Sequence, residues 1–251
     1  MDLGLADRVY VVTGGSRGLG FATAEALVAD GARVVVSARD PRDVASAVER
    51  LGGAGRAVGL AADLADPQAP ARLVETAVSG FGRLDGALLS VGGPPPGTVS
   101  AATDEQWRAA FESVFLGAVR AARTITGHVG EGAAVGLVLS SSARSPIPGL
   151  GISNGLRPGL AMVAKDLADQ HGPRGVRVFG LLPGRIATDR TRELDAAADE
   201  ESRAKTRSAI PLGRYGEPEE FGRVAAFLLS PAAGYVTGTV VPVDGGALRT
   251  P

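Results

Sequence analysis

The stretch from Val11 to Gly20, V-V-T-G-G-S-R-G-L-G, constrains this chain more than any other. A short apolar run, Val9-Tyr10-Val11-Val12, ends at Thr13. Glycines follow at Gly14, Gly18 and Gly20, and an alanine-rich helical pattern then runs to Asp30-Gly31. The pattern predicts strand, tight turn and helix. Glycine has no Cβ, so the backbone of such a turn can approach a ligand closely and take positive φ. The first N–H groups of the helix lack intrahelical acceptors and lie at the positive end of its dipole, which suits a phosphate. The spacing is G-x-x-x-G-x-G, not the G-x-G-x-x-G of most dinucleotide sites. A glycine triplet alone also serves loop geometry. The buried strand before it and the helix after it are what point to a dinucleotide.

The rest of the chain repeats this alternation. Further apolar strands are expected at Arg33 to Ser37, Ala57 to Ala61, Gly86 to Ser90, Val135 to Leu139, Val176 to Leu182 and Thr239 to Val243. Helical patterns lie between them: Asp43 to Leu51, a helix opened by Asp66-Pro67 and running to Gly80, a long one from Thr103 or Asp104 through Ala118, and Pro218 to Leu229. Asp-Pro reads as an N-cap followed by proline at the first helical position. Gly31, Gly52 and Gly80 read as helix terminators. Apolar strands separated by helices imply an α/β fold with a parallel sheet covered on both faces. With no repeat and no linker, residues 1–251 are expected to form a single doubly wound, Rossmann-like domain. The polar stretch from Thr191 to Ser208 is the one long interruption: either a lid over a site, spanning 189–210, or a solvated helix pair.

Composition narrows the function classes. A formal net charge of -1 argues against nucleic acid or an anionic membrane as partner. There is no cysteine, hence no disulfide, thiolate nucleophile or zinc–thiolate site. Met1 to Arg8 carries two aspartates and no apolar core, unlike a secretory signal. No apolar run is long enough to span a bilayer, so a cytoplasmic location is expected. His128 and His171 are isolated, and no His/Asp/Glu cluster has metal-ligand spacing, so no metal is expected.

Several motifs together resemble the short-chain dehydrogenase/reductases, especially their 3-oxoacyl-carrier-protein-reductase-like members. Thr13 to Gly20 resembles the family's coenzyme turn, with Gly14, Ser16, Arg17, Gly18, Leu19 and Gly20 as its residues. Asp63-Leu64 looks like the adenine-contacting pair, although Asp63 also suits a loop-closing Asx turn. Ser90-Val91-Gly92 stands where the family has Asn-Ala-Gly. Leu182 to Thr188 resembles P-G-x-I-x-T, which packs on the nicotinamide through Pro183, Gly184, Ile186 and Thr188. Pro211 to Glu220 and Val243-Asp244-Gly245-Gly246 look like the C-terminal signatures. The resemblance implies a seven-stranded sheet, a nicotinamide cofactor, a small-molecule carbonyl or alcohol substrate, and a homotetramer. An acid ending the second strand binds a ribose 2′-hydroxyl and excludes a 2′-phosphate. Here the strand ends Ser37-Ala38-Arg39, with Ala38 in the acid's place. Arg39 and Arg17 offer guanidinium forks suited to phosphate, and NADP is the expected cofactor.

The working residues depart from the family. Its Tyr-x-x-x-Lys does not occur: the tyrosines are Tyr10, Tyr215 and Tyr235. Counting back from Lys165-Asp166-Leu167-Ala168, the tyrosine position is Ser153 and the lysine position Arg157. The family's serine falls in Ser140-Ser141-Ser142, with Ser140 and Ser141 equal candidates, and its supporting Asn is Val114. A phenol with reference pKa about 10 is tunable by a nearby cation. A serine hydroxyl is a far weaker acid, and an arginine does not shuttle protons. Ser140, Ser141, Ser153 and Arg157 are the expected catalytic set. A helix beginning near Arg157 would move that side chain away from the lysine-like position; the structural alternatives make Ser153 an N-cap, Asn154 a turn former and Arg157 a surface residue. Three functions fit: an NADP-dependent oxidoreductase, a non-catalytic dinucleotide-binding protein, and an enzyme using bound nicotinamide without net redox. The first is preferred because Pro183-Gly184 and the serine cluster are retained.

Overall fold

A computed structural model describes residues 2–196 and 199–249. Among them, seven strands form one all-parallel sheet: β1 (Val9–Thr13), β2 (Arg33–Ala38), β3 (Ala57–Ala61), β4 (Gly86–Leu89), β5 (Ala134–Val138), β6 (Arg177–Pro183) and β7 (Val240–Val243). The spatial order is β3-β2-β1-β4-β5-β6-β7. The chain thus winds outward from β1 in one direction and from β4 in the other. That reversal opens a crevice at the carboxyl ends of β1 and β4, where open parallel sheets bind their ligands.

Side chains alternate across the sheet as a strand dictates. Val9 and Val11 enter the core shared with α3 (Ala69–Phe81), α5 (Gly117–His128) and α6 (Gly151–His171). Tyr10 and Val12 point to the opposite core, shared with α1 (Gly18–Ala29), α2 (Pro41–Arg50) and α9 (Pro218–Leu229). Burial on both faces explains why the strands read as continuous apolar runs. Among the described residues no helix is long and apolar enough to cross a membrane.

Local signals were right in kind and sometimes displaced. Asp40-Pro41, not Asp43, opens α2: the Asp40 carboxylate accepts from the Arg42 N–H at 2.8 Å. Asp66 accepts from the Gln68 N–H in a turn, and α3 begins only at Ala69. Gly80 lies inside α3, and Gly82 takes the left-handed position beyond it. The long helix from Thr103 is one rod in three parts. It runs from α4 (Asp104–Ala110) through a π-helical segment, Phe111–Leu116, into α5. The polar stretch contains α7 (Asp189–Ala196) and α8 (Glu200–Ser208); residues 197 and 198 of the expected lid lie outside the described residues.

Candidate active site

Parallel strands deliver their carboxyl ends to one edge, and the predicted site residues follow those ends. In the turn after β1, Gly14 has φ +58°, and a Cβ there would stand 2.7 Å from the Ser90 carbonyl oxygen. A Cβ on Gly20 would collide with the Gly14 carbonyl. The turn is tied to its neighbours: Gly15 N–H donates to the Ser37 carbonyl at 3.0 Å, and Thr13 Oγ1 to the Ser90 carbonyl at 2.9 Å. α1 then starts at Gly18 with no side-chain cap. Ser16 and Leu19 lie half-buried on either side of Arg17. A cradle that side-chain carbons would fill, ending in uncapped N–H groups, fits a pyrophosphate.

Arg17 and Arg39 are both exposed, and neither guanidinium makes a hydrogen bond or ion pair within the described residues. Asp40 does not compete for that corner. Its carboxylate is turned into the start of α2, where the Arg42 N–H and then the Arg42 guanidinium hold it below the usual carboxylate range. Asp63 closes an Asx turn by accepting from the Ala65 N–H at 2.9 Å, and Leu64 is buried with its carbonyl against Gly117. Ser90 contributes a backbone carbonyl, and Gly92 beyond it is exposed. Pro183 ends β6; Gly184 N–H donates to the Val243 carbonyl at 3.0 Å, and a Cβ there would stand 2.6 Å from Asp244 Cβ. Ile186 is buried and bridges to Gly216. Thr188 lies over the glycine turn, 3.5 Å from where a Gly18 Cβ would be.

The helix bearing Ser153 and Arg157 begins at Gly151, so Pro158 sits inside α6. The expectation of a helix starting near Arg157 is corrected. Pro158 removes one N–H from the helix ladder, and Leu156 and Leu160 on either side of it are buried. Arg157 is only 4% exposed, and its Nη1 donates to the Val138 carbonyl at 2.8 Å, at the end of β5. Ser153, one turn earlier on the same face, is also buried.

Within the serine cluster, the contact to α6 is made by Ser142. Ser153 Oγ lies 3.0 Å from Ser142 Oγ, not against Ser140 or Ser141. Ser141 to Ala143 form a single 3₁₀ turn that swings Ser142 inward. Ser140 is its N-cap, accepting from the Ser142 N–H at 3.2 Å. Nothing in the sequence distinguishes three adjacent serines; the turn does. Sequence reasoning also missed the grip of Asn154 on the neighbouring loop. Its carboxamide accepts from the Ile147 N–H at 3.0 Å and donates to the Ile147 carbonyl at 2.9 Å. Val114 is buried in the π-helical segment.

Comparison with known proteins bears on the whole arrangement. A family model described as enoyl-(acyl carrier protein) reductase matches residues 14–247. The chain is 34% identical over 247 residues to human dehydrogenase/reductase SDR family member 4, covering 96% of this chain and 88% of the relative. Its fold superposes on L-sorbose reductase from Gluconobacter frateurii, solved with NADPH and L-sorbose, with TM-score 0.89, 31% identity and full coverage of both chains. It superposes equally on a short-chain oxidoreductase from Pseudomonas aeruginosa PAO1 described as containing an atypical catalytic centre, with TM-score 0.90, 30% identity and full coverage of both. A glycine cradle at the switch point of a parallel sheet and this likeness along nearly the entire chain have one explanation: the chain belongs to the short-chain dehydrogenase/reductase family, as an oxidoreductase of that type acting on a small molecule with a nicotinamide dinucleotide.

Proposed function

We propose that the protein is an NADP(H)-dependent oxidoreductase interconverting a carbonyl and an alcohol, working as a cytoplasmic homotetramer. In this reading Ser153 and Arg157 stand where most of the family carries its tyrosine and lysine. The observation that carries the cofactor choice is the pair Arg17 and Arg39, exposed and unengaged beside a strand that ends in Ala38. Two guanidinium forks favour a 2′-phosphate, and no carboxylate at Ala38 repels it. When bound, the nicotinamide supplies a hydride donor or acceptor. Gly14, Gly18 and Gly20 would admit the pyrophosphate, and Ser37, Asp63 and Leu64 would border the adenosine. Ser90, Gly92, Pro183, Gly184, Ile186 and Thr188 would wall the nicotinamide end. Residues 189–210 are read as the lid.

The P. aeruginosa protein with its atypical centre supports the reading that a chain of this fold need not carry the usual catalytic set. Calorimetric titration tests the cofactor assignment. NADPH is expected to bind at least about tenfold more tightly than NADH, a difference of about 1.4 kcal/mol, and Arg39→Asp is expected to erode that preference. Equal affinities would overturn it.

A further inference from the structure

Two loops leave the crevice edge of the sheet, one from the end of β4 and one from the end of β5. The first begins at Ser90, whose carbonyl lies against the glycine turn and accepts from Thr13 Oγ1 at 2.9 Å. The second begins with the serine turn that meets Ser153. Both are rich in proline: Pro94-Pro95-Pro96 in the first, Pro146-Ile147-Pro148 in the second. A proline has no N–H, so these five positions offer a ligand no backbone donor.

Backbone groups beside the prolines join the two loops to each other. Gly97 N–H donates to the Gly149 carbonyl at 2.7 Å, and Gly151 N–H donates to the Gly97 carbonyl at 2.8 Å. The approach is close: a Cβ on Gly151 would stand 2.6 Å from the Val99 nitrogen. Asn154, in the first turn of α6, fastens the second loop from the other side. Its carboxamide accepts from the Ile147 N–H at 3.0 Å and donates to the Ile147 carbonyl at 2.9 Å, and its own N–H donates to the Leu150 carbonyl at 2.9 Å. One residue therefore holds the β5 loop at two points and, through Gly149 and Gly151, the β4 loop as well. The side chains on this rim are apolar. Pro95, Pro96 and Pro148 are exposed, and Val99 is 62% exposed. From Gly86 to Thr103 the sequence has no ionisable side chain, and from Leu139 to Pro158 it has only Arg144 and Arg157. Both donate to strand carbonyls, Arg144 to Val240 and Arg157 to Val138.

We propose that Asn154 is a positioning residue that locks the loops after β4 and β5 into one fixed, donor-poor rim, and that this rim selects neutral apolar ketones over charged or polyhydroxylated ones. The inference rests on the oxidoreductase reading and narrows its substrate class. A carboxylate or a row of hydroxyls brought from water onto such a rim loses its hydration without regaining hydrogen bonds. An apolar substituent gains from the same transfer. A rim already held in its binding shape loses little conformational freedom when the ligand arrives, so releasing the Asn154 clamp is felt in substrate affinity.

The test is calorimetric titration of the protein saturated with NADP+, using three ketones: 4-phenyl-2-butanone, neutral and apolar; 4-oxopentanoate, a carboxylate; and dihydroxyacetone, a polyol. The first is expected to bind at least about tenfold more tightly than either of the others. Asn154→Ala is expected to raise its Kd about tenfold and remove most of the preference. Asn154→Asp, which keeps an acceptor for the Ile147 N–H, is expected to recover part of it. Gly97→Ala, strained at φ +153°, loosens the same joint from the β4 side and decides the matter should Asn154→Ala fail to fold. A merely structural role for Asn154 would lower the number of binding sites per chain and leave Kd and selectivity unmoved. That result, equal affinities in the wild type, or no binding of 4-phenyl-2-butanone at millimolar concentration overturns the proposal. NADPH oxidation with the same ketones separates the two readings. Preferential binding with no oxidation by any of them overturns the oxidoreductase reading and supports the rim, whereas oxidation with equal kcat/KM for all three overturns the rim alone.

Discussion

Ser153 meets Ser142 at 3.0 Å and Arg157 donates to the Val138 carbonyl at 2.8 Å. Placing a phenol and an ammonium at these positions tests the proposed assignment on an intact helix, since both residues and Pro158 lie within α6. A positioned general acid is worth about 10²–10⁴ in rate. The double variant Ser153→Tyr/Arg157→Lys is expected to accelerate NADPH-dependent reduction of an unactivated ketone by roughly that factor, with little change for a quinone. Steady-state kinetics with both substrates checks this; equal acceleration of the two would contradict it. The glycines were legible in the sequence because their reason is local: Gly20 faces the carbonyl of Gly14, six residues away in the same turn. The pairing of Ser142 with Ser153 was not, because it depends on a 3₁₀ turn meeting a helix eleven residues on.

The C-terminal end of α9 is finished by a side chain from a distant strand. Arg177, at the start of β6, is 6% exposed and donates to the carbonyls of Leu228, Leu229 and Ser230 at the end of α9, and to that of Val236. A cation at a helix C-terminus is favoured by the dipole and satisfies carbonyls that lack intrahelical partners. Arg177→Met would strand those acceptors in a dry site. It is expected to destabilise the protein by about 3 kcal/mol, from hydrogen bonds to a charged group and their desolvation, read from guanidinium chloride unfolding. The start of α9 explains a sequence signature. Arg214 grips Glu220 through both Oε atoms at 2.7 Å, and Glu220 also accepts from the Glu217 N–H. These contacts hold its carboxyl down to about 2. The two Asp-Pro pairs teach the opposite lesson. Asp40-Pro41 caps α2 while Asp66-Pro67 only makes a turn, because packing against the sheet determines where each helix begins.

At the scale of the molecule, the sheet buries polar groups whose titration belongs to the fold. Tyr10 lies fully inside, its hydroxyl donating to the Leu229 carbonyl at 3.3 Å, and burial pushes its phenol up to about 12. The unfolded phenol ionises near 10, so between pH 10 and 12 the unfolded chain loses a proton that the native state keeps. The stabilisation is therefore complete below pH 10 and lost as pH rises toward 12, by about 2–3 kcal/mol. Urea unfolding across that range should show the slope, and Tyr10→Phe should remove it. The proposed homotetramer draws on exposed apolar side chains: Met162 of α6 is 69% exposed, and the exposed Phe111 stacks on Phe115 within the π-helical segment. Light scattering is expected to report four chains, and Met162→Asp with Phe111→Asp to dissociate them. By itself the sequence determined the alternation of strand and helix, the glycine turn after the first strand and the absence of any Tyr-x-x-x-Lys, because periodicity, glycine spacing and residue identity are properties of neighbours along the chain. Only the tertiary structure decided that α6 runs unbroken through Pro158, that Ser142 is the partner of Ser153, and that Arg157 points at β5. Each of those depends on two segments meeting in a close-packed interior, and no pattern within either segment encodes the meeting.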